Sequence, residues 1–128
     1  MIMDEKILKD RTKQLGAAIT KEINKLPRSL AAEVIAKKLV RSGTSIGLTY
    51  QSASRAKSKP DMIDKLKVVK DECNETIYWL ELLTEAGLVT SYQVADVHKE
   101  TSEILAEIAS SIKTLRDHKT VNKKSQNK

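Results

Sequence analysis

Residues 42–50 read SGTSIGLTY, and the fold depends on whether this stretch is a loop or part of a helix. Gly43 and Gly47 are mixed with four hydroxyl residues, a composition typical of loops. Apolar or small residues nevertheless keep a helical phase across both glycines, at Ile35, Leu39, Ser42, Ile46, Tyr50 and Ala53. Because a loop normally resets this phase, the pattern predicts one continuous second helix over roughly 29–56. The alternative is a kink or break, since each interior glycine costs about 1 kcal/mol relative to alanine.

The same periodicity predicts three further helices around this segment. They cover roughly 4–25, 60–86 and 90–118. Pro27 ends the first, because the residue before a proline avoids the helical region. Gly87 is placed to end the third helix.

Short connections join these helices, and capping signals mark their starts. Residues 58–61, SKPD, resemble a capping box with proline in the first turn, and residues 90–93, TSYQ, form a capping box. Connections this short make neighbouring helices antiparallel. The sequence therefore predicts an all-α, antiparallel up-down-up-down four-helix bundle over 1–118, followed by a basic disordered tail over 119–128 that carries four lysines and no acid.

The bulk composition agrees with one helical domain. The chain has 128 residues, of which 40% are hydrophobic, 31% charged and 3% aromatic. A single cysteine excludes an intramolecular disulfide framework. No apolar run has the length of a membrane span and the N-terminus is not a signal peptide, so a cytoplasmic protein without a membrane partner is expected.

Positive charge is concentrated in the second helix. Residues 28–59 carry seven basic side chains and one acidic, whereas residues 60–89 carry three basic and seven acidic. The candidate nucleic-acid-binding residues are Lys37, Arg41, Arg55, Lys57 and Lys59. Cations among hydroxyl residues suit phosphate contacts rather than base recognition. The alternative is a solvated face that pairs with the acidic third helix of the same or a neighbouring subunit.

Two surfaces carry apolar or small residues beyond the main helix stripes. On the third helix the second face holds Val68, Trp79, Leu82 and Ala86, which predicts an oligomer interface. The alternative is that the helix is buried over more than half of its circumference. On the second helix Gly43 and Gly47 belong to a small-residue ridge that lets a neighbouring helix approach closely, and both are assigned to the oligomer interface as well.

No catalytic or metal-binding pattern is present in the sequence. The Glu-x-x-His pairs of di-iron bundles are absent, and GTSIGL lacks the Lys-Ser/Thr of a phosphate-binding loop. Cys73 is interpreted as a core residue and His98 as a partly buried one. We therefore expect no enzymatic activity, cofactor, metal or small-molecule substrate.

Two motifs, SGTSIG at 42–47 and YWLELL at 78–83, resemble the signature of the four-helix-bundle proteins encoded in intervening sequences of bacterial large-subunit (23S) ribosomal RNA genes. The resemblance spans about residues 15–115. It departs at Thr49 and Ser52, where the family commonly has Asn and Glu.

The resemblance implies an antiparallel bundle that assembles into homopentamers without an established enzymatic activity. The accessory proteins of diversity-generating retroelements, a related group, are pentameric basic bundles that bind RNA and a reverse transcriptase. The expected function is thus a homo-oligomeric bundle that binds RNA or structured nucleic acid through the basic second helix. The alternative is a protein-interaction scaffold or an accessory subunit of a nucleic-acid enzyme such as a reverse transcriptase.

Overall fold

The protein is built from four α-helices joined by short turns. A computed structural model describes the backbone of residues 5–126 and the side chains of residues 5–117. The helices are α1 (Glu5–Ile23), α2 (Leu30–Ala53), α3 (Lys59–Glu85) and α4 (Ser91–Gln126), and these described residues include no strand. The chain is therefore all-α, as predicted. Contacts of α1 with α2, α2 with α3, α3 with α4 and α1 with α4 are those of a four-helix bundle.

Capping residues act at the helix ends, at Ser58, Thr90 and Gly87 as predicted and also at Ser29. Ser29 and Ser58 are the N-caps of α2 and α3, and each side-chain oxygen accepts a hydrogen bond from the backbone N–H three residues later, at 3.1 and 3.2 Å. At the start of α4, the N–H of Gln93 donates to Thr90 Oγ1 at 3.1 Å and the N–H of Thr90 donates to Gln93 Oε1 at 2.7 Å. After α3, Gly87 adopts φ +74°, a left-handed conformation that glycine tolerates without strain.

The SGTSIGLTY stretch lies inside one unbroken helix. α2 runs from Leu30 to Ala53 through both glycines, so the continuous helix is confirmed and the alternative of a break is wrong. The helix ends earlier than the predicted 56, because the amides of Arg55 and Ala56 bond to carbonyls only three residues back, in a tighter turn.

The glycines allow α2 to approach α1 of the same chain. A methyl group on Gly47 would lie 3.2 Å from the backbone carbonyl carbon and oxygen of Thr12. One on Gly43 would lie 2.7 Å from Cδ1 of Ile19. The ridge therefore packs within the bundle, and its neighbouring helix is α1. The assignment of Gly43 and Gly47 to an oligomer interface is corrected accordingly, because both face a helix of their own chain.

The core between the helices is apolar, with a few buried hydroxyl groups. Its fully buried members include Leu39 and Ile46 of α2 and Leu80 of α3. A hydrogen bond joins α2 and α3 inside the core: Thr76 Oγ1 of α3 lies 2.9 Å from Ser42 Oγ of α2, and both side chains have no exposed surface. Each hydroxyl also lies within hydrogen-bond distance of a carbonyl of its own helix, Leu39 O at 3.3 Å and Glu72 O at 2.8 Å, so both buried groups have partners.

The last helix continues past residue 118 to Gln126, into the segment predicted as a disordered tail. Side chains from residue 118 onward, and residues 127 and 128 altogether, lie outside the described part of the chain. Within the described residues, no helix combines the length and apolar character needed to cross a membrane.

Gly47→Ala is expected to lower the free energy of unfolding by about 1–2 kcal/mol. The added methyl group meets backbone atoms of α1 that can only yield by separating the helices, and overpacking of this kind typically costs about 1–3 kcal/mol before the gain in helix propensity. Urea unfolding followed by circular dichroism at matched protein concentration measures the change.

Gly16→Ala is the matched control. Its methyl group would lie 3.6 Å from the nearest atoms, an ordinary contact, so helix propensity should leave this variant as stable as the wild type or up to about 1 kcal/mol more stable. Equal stability of the two variants would show that the close contact at Gly47 does not limit helix packing.

Candidate interaction surface

The five cations predicted to bind nucleic acid lie in three separate places. Lys37 is exposed on α2 and precedes the end of that helix by sixteen residues, which is about 24 Å of helix axis at 1.5 Å per residue. Arg41 points to α3. Arg55 and Lys57 lie in the connection after α2, and Lys59 is the first residue of α3. The structure therefore groups only the last three.

The connection between α2 and α3 is a cationic turn formed by Arg55, Lys57 and Lys59. All three side chains are exposed, and none forms an ion pair with another described residue. The nearby carboxylate of Asp61 accepts hydrogen bonds from Lys65 Nζ at 3.0 Å and from the backbone N–H of Lys57 at 3.1 Å. These two bonds hold the pKa of Asp61 below its usual value. The three ammonium and guanidinium groups of the cationic turn remain available to anions.

Arg41 is occupied by two glutamates of α3. Its Nη2 donates to Glu75 Oε2, and its Nη1 lies 3.5 Å from Glu72 Oε1. The hydrogen bond to Glu75, with the charges of both glutamates, raises the pKa of Arg41 above its usual value. The indole N–H of Trp79 and the guanidinium of Arg41 together lower the pKa of Glu75. Arg41 is therefore a helix-pairing residue, in line with the alternative that the basic helix pairs with the acidic helix of its own chain.

Glu72 depends on Arg41 for its neutralisation. Its side chain is only 16% exposed, and its Oε2 is buried with no hydrogen-bond partner among the described residues. A carboxylate in this position keeps its charge at a lower cost when a guanidinium lies beside it. The sequence signal for this contact is the excess of acids on α3 beside the cations of α2, which underlies the alternative that the two helices pair.

The face of α3 predicted to bind another subunit is only partly exposed. Val68 is 46% exposed and Ala86 is exposed, whereas Trp79 and Leu82 are half-buried. Trp79 packs against the core and donates its indole N–H to Glu75 Oε2 at 3.1 Å. Trp79 thus follows the alternative in which the helix is buried over more than half of its circumference.

Four large exposed side chains on α2 and α3 were missed by the sequence analysis. On α2, Leu30, Val34 and Leu48 are 80%, 50% and 71% exposed. On α3, Tyr78 is 56% exposed and contacts Trp79 edge to face, with ring centroids 4.9 Å apart. These side chains lie opposite the core residues in the helical phase. The sequence predicts that phase once each helix is known to be continuous.

Other polar contacts tie α4 to the bundle. Arg11 of α1 donates from Nε to Glu100 Oε2 at 2.9 Å and also bonds Glu100 Oε1, and this hydrogen bonding raises the pKa of Arg11. His98 Nε2 lies 3.0 Å from Glu81 Oε2 of α3, so His98 is a half-exposed pairing residue.

The structure offers little for chemistry in the part that it describes. Cys73 is buried, as predicted, and burial, with a smaller effect of the Glu72 charge, raises the pKa of its thiol to about 12. No three His, Cys, Asp or Glu side chains converge as a metal-ligand set among the described residues. An open groove of about 490 Å³ lies between α1 and α2, and one of about 590 Å³ between α3 and α4.

The fold and its surfaces define a small helical bundle whose second helix carries glycines against the first and cations toward solvent. The chain belongs to the 23S rRNA-intervening sequence protein family, whose family model matches residues 5–126. The resemblance drawn from SGTSIG and YWLELL is confirmed at the level of this family.

One solved structure extends the comparison to three dimensions. It is a 1.70 Å crystal structure of a protein of unknown function from the S23 ribosomal protein family of Bacteroides thetaiotaomicron. It is 34% identical to this chain, superposes with a TM-score of 0.80, and the match covers 87% of this chain and 99% of that one. A comparison with curated proteins gave no match.

Arg41→Ala is expected to destabilise the bundle, because it leaves the mostly buried carboxylate of Glu72 without its counter-ion. The urea midpoint at pH 7 should fall, by less than for Gly47→Ala, since Arg41 is half exposed and solvent screens part of the interaction. Adding Glu72→Gln should recover part of the loss, and a double-mutant cycle measures that recovery.

The pH dependence gives an independent check of the same contact. A carboxylate whose folded pKa lies below its unfolded value contributes stability above the unfolded pKa and loses it as the pH falls. For Glu75 the ordinary value is 4.5, so the stability difference between wild type and Arg41→Ala should narrow as the pH falls below that value. A difference independent of pH would show that Arg41 acts through packing alone.

Proposed function

We propose that the protein is a non-enzymatic, homo-oligomeric helical bundle that binds RNA or structured nucleic acid through phosphate contacts. The observation that carries the proposal is the cationic turn: three exposed cations within five residues, with no ion pair among the described residues. Lysine and arginine contacts to phosphates supply affinity without reading sequence. Lys37 is a more distant contributor, and Arg41 is removed from the predicted set.

The proposed arrangement is an antiparallel up-down-up-down bundle in the cytoplasm. Along α2, Gly43 lies against Ile19 of α1 and Gly47 lies against Thr12 of α1. Residue numbers in α1 therefore decrease as those in α2 increase, which supports antiparallel packing of these two helices. Short turns between successive helices favour the same arrangement for the rest of the bundle.

The proposed assembly is a homopentamer, as the family resemblance implies. Repeating the cationic turn in each subunit would strengthen a weak single-site affinity by avidity, provided that one nucleic acid reaches several copies.

A second candidate function is a protein-interaction scaffold or an accessory subunit of a nucleic-acid enzyme such as a reverse transcriptase. The exposed apolar side chains on α2 and α3 favour this candidate, since apolar groups contribute to protein contacts and not to phosphate binding. Affinity capture from lysate with and without nuclease separates the two functions, because a bound protein that survives nuclease supports the scaffold.

Replacing Arg55, Lys57 and Lys59 together by alanine should weaken nucleic-acid binding and flatten its salt dependence. Each lost phosphate contact lowers the slope of log affinity against log salt by about 1. Fluorescence anisotropy with labelled single-stranded and duplex RNA over about 50–200 mM salt measures both quantities.

The matched control replaces Lys21, Lys99 and Lys113, which are exposed on α1 and α4, and removes the same charge elsewhere. It should retain more of the affinity and slope than the cationic-turn variant. Equal losses in the two variants, or no binding by the wild type to RNA or DNA at low salt, would contradict the proposed binding surface.

The proposed assembly predicts a molar mass five times the 14.3 kDa of the chain, about 72 kDa. Light scattering coupled to size exclusion measures it. A mass that stays at that of a single chain over the accessible concentrations would refute homo-oligomerisation.

A further inference from the structure

An outer seam on α2 runs along the side that faces away from the core, and around Leu48 it borders the open groove between α1 and α2. Its residues follow one another at alternating steps of four and three, and every side chain on it is exposed. They are Leu30, Val34, Lys37, Arg41, Thr44, Leu48, Gln51 and Arg55. Its apolar members are Leu30, Val34 and Leu48, three others are cationic, and none is acidic. Seven-residue spacing of this kind is the pattern by which one helix packs along another.

A matching outer seam runs along α3. Its residues follow the same alternating steps and are Asp64, Val68, Asp71, Glu75, Tyr78, Leu82 and Glu85. Its apolar members are Val68, Tyr78 and Leu82, and the other four positions are Asp or Glu with no basic residue. All positions are exposed except the partly buried Leu82 and Glu75.

The two seams complement each other in charge and share a spacing. Within the chain they meet where Arg41 binds Glu75, and this contact leaves Leu30, Leu48 and Tyr78 open to solvent. The charges left for another copy are Lys37 and Arg55 on α2 and Asp64, Asp71 and Glu85 on α3. A surface that combines regularly spaced apolar groups with one sign of charge fits a helix with the same spacing and the opposite charge.

We propose that the α2 outer seam of one copy packs along the α3 outer seam of a second copy. The inference rests on the proposed homo-oligomer and names its contact. Pairing two α2 seams would oppose cations to cations, and pairing two α3 seams would oppose acids to acids, so charge disfavours both. The seams belong to helices of 24 and 27 residues, so they can run side by side over about 36 Å.

This contact uses two different surfaces of each subunit. A contact of that kind, repeated from copy to copy, closes into a ring when the rotation permits. Of the cationic turn, Arg55 is the last residue of the α2 seam, whereas Lys57 and Lys59 lie beyond the end of that seam.

Paired substitutions at Leu48 test the contact. Leu48→Glu and Leu48→Lys remove the same apolar surface from a side chain that is 71% exposed, but they place opposite charges against the acidic seam. Leu48→Glu is expected to weaken self-association by about tenfold or more, and Leu48→Lys by clearly less. Light scattering over a range of concentrations measures association, and circular dichroism verifies that each variant is folded.

Charge reversal on α3 tests the other half of the contact. The double variant Asp71→Lys, Glu85→Lys should by itself weaken association. When it is combined with Leu48→Glu, association should be restored. Tyr92→Glu is the control, because Tyr92 is 89% exposed at the start of α4, outside both seams, and its change should leave association intact.

The outcomes separate this inference from the proposed function. A wild type that stays monomeric overturns the homo-oligomer and this contact together. If the wild type assembles, three results would overturn the α2-to-α3 contact alone. They are association that is unaffected by the α3 reversal, equal weakening by both Leu48 variants, and no restored association in the combined variant.

Discussion

The close approach of α1 and α2 is the constraint on which the rest of the bundle depends. At Gly47 no side chain separates the two backbones, and the nearest atoms of α1 are the carbonyl carbon and oxygen of Thr12. A backbone yields much less than a side chain, so the distance between these helices is fixed more narrowly than in a contact between leucines. With α2 held this near α1, its remaining faces are directed toward α3 and toward solvent.

The hydroxyl groups of SGTSIG explain how a loop-like composition forms a stable helix. Thr44 and Ser45 donate hydrogen bonds to carbonyls one turn earlier in α2, and Ser42 and Thr76 pair in the core. Hydroxyls that find acceptors on their own helix no longer compete with the helical backbone for other conformations. Packing against α1 offsets the low helix propensity of the glycines, so the stretch is helical because of its neighbours.

The helices and the core could be predicted from the sequence, because both depend on periodicity and on capping residues such as Ser58 and Thr90. The surface could not be predicted to the same depth. Arg41 and Lys37 look equivalent in the sequence, yet only Arg41 lies beside the acids of α3, and that difference depends on the position of one helix relative to another. The helical phase likewise predicts an outward face for Trp79, whereas its side chain packs against the core and bonds to Glu75, because the phase does not show which neighbours a large side chain reaches.

The distribution of charge follows from these internal contacts. Part of the positive charge of α2 and of the negative charge of α3 is used within the chain, where Arg41 lies between Glu72 and Glu75. Charge used in this way fixes the alignment of α2 with α3 and contributes little to the field outside the bundle. The proposed phosphate contacts are therefore assigned to cations without an ion pair among the described residues, and Arg55, Lys57 and Lys59 lie together where α2 gives way to α3. The same helix pair thus combines an internal ion pair between α2 and α3 with a terminal cationic turn whose three side chains are exposed.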